Sequence, residues 1–205
     1  MPVKEKENPT KGDVTRVAIE DAAVELFMEH GYHATSMRQI AERAGLALGG
    51  IYNHFASKDE LFEAIIVDKH PYKQVLPAIL LAEGDNAEEF LRSAAQIIFT
   101  ELDSRPDYMK LMFIEMVEFN GVHGAKMIKK VFPQVFPVFE RLVKTRKSLR
   151  VTNPAILVRS FFGMILSFYI TGAVINNSVL AKLLPANSAD AYVDIFLHGI
   201  IKPEA

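Results

Sequence analysis

Two helix-start signals, twenty-one residues apart, constrain this chain more than any other feature. Ser36 is followed three positions later by Gln39, and Ser57 by Glu60. In each pair the hydroxyl takes the third backbone N–H, and the longer side chain returns to the N–H of the cap. Met37, Ile40, Ala41 and Ala44 then repeat at helical spacing over two turns, and Gly45 supplies the stop. A short helix over about Leu48 to His54 follows. Ser57 opens another, with Leu61, Phe62, Ile65 and Ile66 inward. Upstream, Val14 to His30 carries Ile19, Ala22, Ala23, Leu26 and Phe27 on one face. Gly31 follows, where a left-handed residue ends a helix.

The pattern stays helical further on but is less regular. Pro71 and Pro77 should break or kink the chain. Asp85 and Glu88 read as the cap of a helix to about Asp103. Pro106 suits the first turn of a helix that ends near Gly121. The segment from about His123 to Ser148 contains Pro133 and Pro137, so it is expected bent or split. Helices over Pro154 to about Asn177 and Ser188 to about Ile201 complete the chain. No stretch alternates with period two between turn signals. The fold class is therefore all-α, with about nine helices.

Composition removes several classes of function. Cysteine is absent, which excludes disulfides, thiolate nucleophiles and Cys-ligated metals. The formal net charge is −2, so contact with nucleic acid must come from a local surface. Met1 to Asp13 has no apolar stretch and is no secretory signal. Ser160 to Ala181 is an uncharged run of 22 residues. That length would span a bilayer, but its seryl, tyrosyl and asparaginyl positions suit a buried core or subunit interface equally. No H-E-x-x-H or E-x-x-H string accompanies the six histidines, which read as scattered surface groups, and no metal or cofactor is expected. No phosphate-binding glycine loop or nucleophile elbow is present, and no enzyme activity is expected.

The informative segment is Thr35 to Lys58, TSMRQIAERAGLALGGIYNHFASK. Two short helices joined at Gly45-Leu46-Ala47 match a helix-turn-helix, whose second helix enters the DNA major groove. Ile40, Ala44, Leu46, Ile51 and Phe55 can pack inward. Gly49 and Gly50 cost helix stability, and close approach of DNA to the backbone is one reason for them. Tyr52, Asn53 and His54 are left outward for phosphates or base edges. The segment, within residues 14–66, resembles the DNA-binding domain of the TetR family of bacterial transcriptional regulators. The resemblance rests on a first helix ending in G-Y, then TSMRQIAERAG, IYNHF and SKDELF in register.

The resemblance implies a flexible arm over 1–13 and a three-helix, homeodomain-like helix-turn-helix domain over 14–66. A larger helical ligand-binding and dimerisation domain would cover 67–205. Thr35, Tyr52, His54 and Lys58 match the family's phosphate-contacting positions, with Ser36 beside them. Arg38, Arg43, Leu48, Gly49, Gly50 and Asn53 complete the expected DNA-contacting set. Ala47, Leu48 and Gly50 depart from residues common in the family, so its generic polar contacts are thinned. Residues 1–60 also hold seven Lys and Arg against ten acids, the reverse of a basic footprint. The resemblance further implies a cytoplasmic homodimer paired through its last two long helices, about 154–177 and 188–201, without a membrane.

A repressor of this kind binds a double-stranded palindromic operator and is released by a small-molecule effector. Met109, Met112, Phe113, Met116, Phe136, Phe139, Met164 and Phe168, with Phe119 nearby, supply adaptable and aromatic surface for a mostly apolar or aromatic molecule. Plain core packing accounts for each of them as well. Glu115 and Glu118 sit among them, either to select a cation or hydroxyl or simply on an exposed face. The rival reading is an all-α carrier or enzyme that has lost DNA binding, supported only by the acidic N-terminal balance.

Overall fold

Thr10 opens the first helix with a capping box. Its hydroxyl accepts the N–H of Asp13, and the Asp13 carboxylate accepts the N–H of Thr10 at 3.0 Å. The computed structural model describes residues 10–69, 72–144, 149–150, 153–185 and 188–200. Among these are ten α-helices and one 3-10 turn: α1 Lys11–His30, α2 Met37–Arg43, α3 Leu48–Tyr52, α4 Lys58–Asp68, α5 Tyr72–Leu80, α6 Ala87–Asp103, α7 Pro106–Phe119, α8 Val122–Lys144, α9 Pro154–Ile175, the 3-10 turn Val179–Leu183, and α10 Ser188–Ile200. Residues 1–9 of the expected arm lie outside the described residues, and 11–13 form the first turn of α1.

Two compact units divide the chain. The first joins residues 1–70 with 110–128, and the second joins 71–109 with 129–205. In the first unit, α1 buries Ile19, Ala22, Ala23, Leu26 and Phe27 against Ile40 and Ala41 of α2, Ile51 of α3 and Leu61, Phe62, Ile65 and Ile66 of α4. Gly31 (φ 82°) and Gly45 (φ 71°) end α1 and separate α2 from α3, in backbone conformations that side chains resist. The end of α7 and the start of α8 close this core, with Leu111 buried and the Phe119 ring stacked on Phe62 at 4.8 Å.

The second unit packs α6 against α5 and α10, and α10 against α9. Its core includes Phe90, Leu91, Ala94, Ala95, Ile98, Leu157, Phe161, Ile165, Val193 and Leu197. Arg92 of α6 meets Asp194 of α10 at 3.1 Å. Tyr169 of α9 donates to Asp103 at 2.7 Å and to the Phe99 carbonyl at 3.2 Å. Burial and the hydrogen bond to Asp103 push the Tyr169 phenol far above its ordinary range.

Three sequence expectations are corrected. The cap of α6 is Asn86, whose side chain accepts the Glu89 N–H at 2.9 Å, one residue beyond the Asp85 expected. α8 is not split at Pro133 or Pro137, and α5 does not break at Pro77. All three prolines are exposed, so the carbonyls they leave unpaired lie on the wet side of the helix. His123, expected at the surface, is buried in the first unit.

Candidate nucleic-acid interface

The helix-turn-helix is assembled from its caps outward. Ser36 caps α2, its hydroxyl accepting the Gln39 N–H at 3.3 Å, while the Gln39 side chain accepts the Ser36 N–H at 2.8 Å. The Leu46 N–H donates to the Ala41 carbonyl at 2.8 Å across the Gly45 turn. That bond sets the angle at which α3 leaves. Ile51, 0% exposed, anchors the back of α3, and Phe55 follows it into the core. Arg16 lies over the Phe55 ring at 4.3 Å.

The outer surface carries Leu48, Gly49, Tyr52 and Asn53, all exposed, with Gly50 and His54 half-buried. Tyr52 is 50% exposed, ample for its hydroxyl to meet a ligand. A Cβ placed on Gly49 would meet nothing within 4 Å, and one on Gly50 would meet only Leu46 Cβ at 3.9 Å. No packing inside the described chain therefore demands either glycine. Ser36 and Arg38 stand exposed on α2.

Three other expected contacts have internal partners. Thr35 is 2% exposed, and its hydroxyl donates to the carbonyls of Gly31 at 2.9 Å and Leu26 at 3.2 Å. Arg43 forms a two-pronged pair with Glu29 at 2.8 and 3.1 Å and reaches Glu25 at 3.0 Å. These hydrogen bonds hold the Glu29 carboxyl below its ordinary pKa and raise that of Arg43. Lys58 Nζ donates to the carbonyls of Tyr32 at 2.6 Å and Thr35 at 2.7 Å. Helical periodicity had no means of finding the Tyr32 cluster that receives Lys58. Its only sequence signal is the aromatic residue directly after Gly31.

A family model described as bacterial regulatory proteins, tetR family, matches residues 19–65, the stretch from the middle of α1 to near the end of α4. Over that stretch the chain matches the tetR family. It is 41% identical over 58 residues to the HTH-type transcriptional regulator UidR of Escherichia coli K12, covering 28% of this chain and 30% of UidR. It is 35% identical over 94 residues to the transcriptional activator FasR of Mycolicibacterium smegmatis, covering 45% of this chain and 42% of FasR. The chain thus matches less than half the length of these two relatives. Over nearly the whole chain the fold is that of SmeT in its triclosan complex, with a TM-score of 0.64, 23% identity, and coverage of 94% of this chain and 98% of that one.

The residues expected at an effector site fall in both units. Met112, Phe113 and Met116 belong to the first, where Phe113 and Met116 are exposed. Met109, Phe136, Met164 and Phe168 belong to the second. There Phe168 packs edge-on against Phe99 at 5.0 Å and Tyr192 at 5.4 Å, while Phe136 is exposed. The side chain of Phe139 lies outside the described residues. A cleft of 720 Å³ in the second unit is lined by Glu83, Asp85, Glu89, Arg92, Gln96 and Arg141 among others, and by none of the expected residues.

Glu118 is exposed and pairs with His33. Glu115 is fully buried and fully partnered. One oxygen accepts the Gly124 N–H at 2.9 Å, and the other lies 2.9 Å from His123 Nδ1. It therefore serves the corner between α7 and α8, which neither sequence alternative anticipated.

Proposed function

We propose that this chain is a ligand-responsive transcriptional regulator that binds a palindromic operator as a homodimer. The surface of α3 carries the reading. Ile51 fixes the helix from behind, Tyr52 and Asn53 project outward, and Gly49 offers bare backbone. Such a helix suits the major groove, with hydroxyl, amide and imidazole groups for phosphates and base edges. Residues 14–66 form the DNA-binding domain and 67–205 the ligand-binding and dimerisation domain, with 110–128 packed into the former's unit. Ser36, Arg38, Leu48, Gly49, Gly50, Tyr52, Asn53 and His54 make the contacts.

The dimer forms through α9 and α10. α9 is long and apolar enough to cross a membrane, yet only 11% of its apolar window is buried within one chain. Ile156, Phe162, Leu166, Ile170 and Val174 of α9 and Ile195 of α10 lie exposed. A second copy covers them in a cytoplasmic protein and places two α3 helices about one DNA turn apart. The effector is a small, mostly apolar or aromatic molecule, the class to which SmeT's triclosan belongs. It favours a conformer with the wrong α3 spacing and so releases the operator. A coupling of about 1–3 kcal/mol suffices for this repressor mechanism.

In vitro selection from random duplexes tests the reading, with purified protein at low salt. An enriched palindrome is expected. A folded protein that enriches no sequence would overturn it and favour a carrier that has lost DNA binding. Tyr52→Phe should weaken binding to all duplexes alike, as loss of a phosphate contact does.

A further inference from the structure

We propose that Leu48 is a specificity-determining residue that reads the C5-methyl group of thymine, and that α3 selects half-sites with A·T pairs where it meets the bases. The inference rests on the DNA-binding reading above and adds the chemistry of the bases read. From Ala44 to Ser57 the chain holds no Lys, Arg, Asp, Glu or Gln. Each base shows a different group in the major groove. Guanine presents two acceptors, which arginine and lysine match with donors. Cytosine presents an amino donor, which aspartate and glutamate match. The segment has none of these four residue types. Adenine and thymine remain, one matched by the amide of asparagine and the other by an apolar side chain against its methyl.

The outer face of α3 supplies those two groups. Leu48 is 37% exposed, and Gly49, Tyr52 and Asn53 are exposed with it, while Ile51 faces the core. Asn53 follows α3 directly and keeps helical backbone angles. At about 100° per residue these four outer positions fall within an arc of about 140°. Gly49 lies inside that arc without a side chain, and a Cβ there would meet nothing within 4 Å. The main chain is therefore free to approach the base edges closely, and a side chain as short as leucine reaches them. Cations outside the segment are placed for other tasks. Arg43 is held by Glu25 and Glu29, Arg38 stands on α2, the helix that crosses the phosphate backbone in this motif, and Lys58 opens α4.

The test starts from the palindrome that the full-length protein enriches from random duplexes. Its half-sites are expected to carry A·T pairs where α3 meets them. Replacing each thymine in turn by uracil removes only the methyl. At one position per half-site the change should weaken binding about 4-fold, and about 15-fold when both half-sites carry it, as loss of one buried methyl does. Leu48→Ala should weaken binding to the thymine duplex by at least a similar factor. The variant should then bind the thymine and uracil duplexes equally, an outcome that general damage to α3 does not produce. Alanine favours a helix, so its melting curve should match the parent's.

A half-site whose core is G·C, or one in which no uracil changes affinity, would overturn the inference and leave the regulator reading standing. A uracil effect that survives in Leu48→Ala would give the methyl to another residue and overturn it as well. If Leu48→Ala does not fold, the uracil series on the parent protein decides. A folded parent that enriches no sequence would refute the DNA-binding reading itself, and this inference with it.

Discussion

Glu115 and His123 are joined across the corner between α7 and α8, Oε2 to Nδ1 at 2.9 Å, while the other Glu115 oxygen caps α8 at Gly124. The carboxylate is wholly buried. Glu115→Ala would orphan both an imidazole and a helix-start N–H, at a cost of about 3–5 kcal/mol. Glu115→Gln keeps an acceptor for Gly124 and should lose less. Chemical denaturation checks the order, and equal losses for the two variants would refute this division of roles.

Gly49 and Gly50 separate stability from binding. Neither is required by packing in the described chain. Alanine at Gly49 should therefore stabilise α3 by about 0.5–1 kcal/mol through helix propensity. The same variant should bind the selected operator more weakly, because in the proposed complex its methyl would stand where the DNA backbone approaches. Melting curves and binding isotherms on one preparation read both effects. Unchanged affinity would mean that α3 is not the face that meets DNA.

Glu20 gives a pH dependence with a definite sign. It is buried on α1, with Arg16 Nε 3.3 Å from Oε1. Burial raises its pKa, Lys69 and Arg16 work against that, and Asp68 and Asp21 reinforce it. A carboxyl whose folded pKa is raised contributes stability below its unfolded value and loses it as pH rises through the folded one. Glu20→Gln should accordingly be at least as stable as the parent near neutrality. Any advantage should vanish below about pH 4, where the carboxyl is protonated in both states. A variant less stable than the parent at neutral pH, in melts across the range, would show that the Arg16 pair outweighs burial.

The exposed face of α9 predicts a dependence on self-association. Ile170→Glu places a charge among Phe162, Leu166 and Val174, all exposed in the single chain. The variant should sediment as a monomer where the parent sediments as a dimer. Its operator affinity should fall at least about 100-fold, since one half-site must then bind alone. A dimer undisturbed by the charge would locate the interface elsewhere.

Legibility in the sequence followed locality. The inward faces of α1, α2 and α4 could be read because their contacts recur every three or four residues. Ser36 and Ser57 announced their helices because a cap bonds within its own turn. The Glu115–His123 pair could not be read, because it spans a turn held by Asn120 at φ 51° and Gly121 at φ 75°, which no periodicity reports. The internal partners of Lys58 were not legible either, since they lie 23 and 26 residues earlier. Pro133 and Pro137 misled for a physical reason. Proline removes one hydrogen bond, and a helix whose freed carbonyls face water tolerates that loss.

The first unit is discontinuous in the chain, and synthesis runs in only one direction. When the first seventy residues have left the ribosome, neither Leu111 nor Phe119 has emerged, and Phe62 lacks the ring that stacks on it. The unit cannot close until about residue 128 has emerged. A nascent helix-turn-helix thus waits, with one side of its core open, for a segment encoded well downstream. Chaperones and proteases have that interval in which to act.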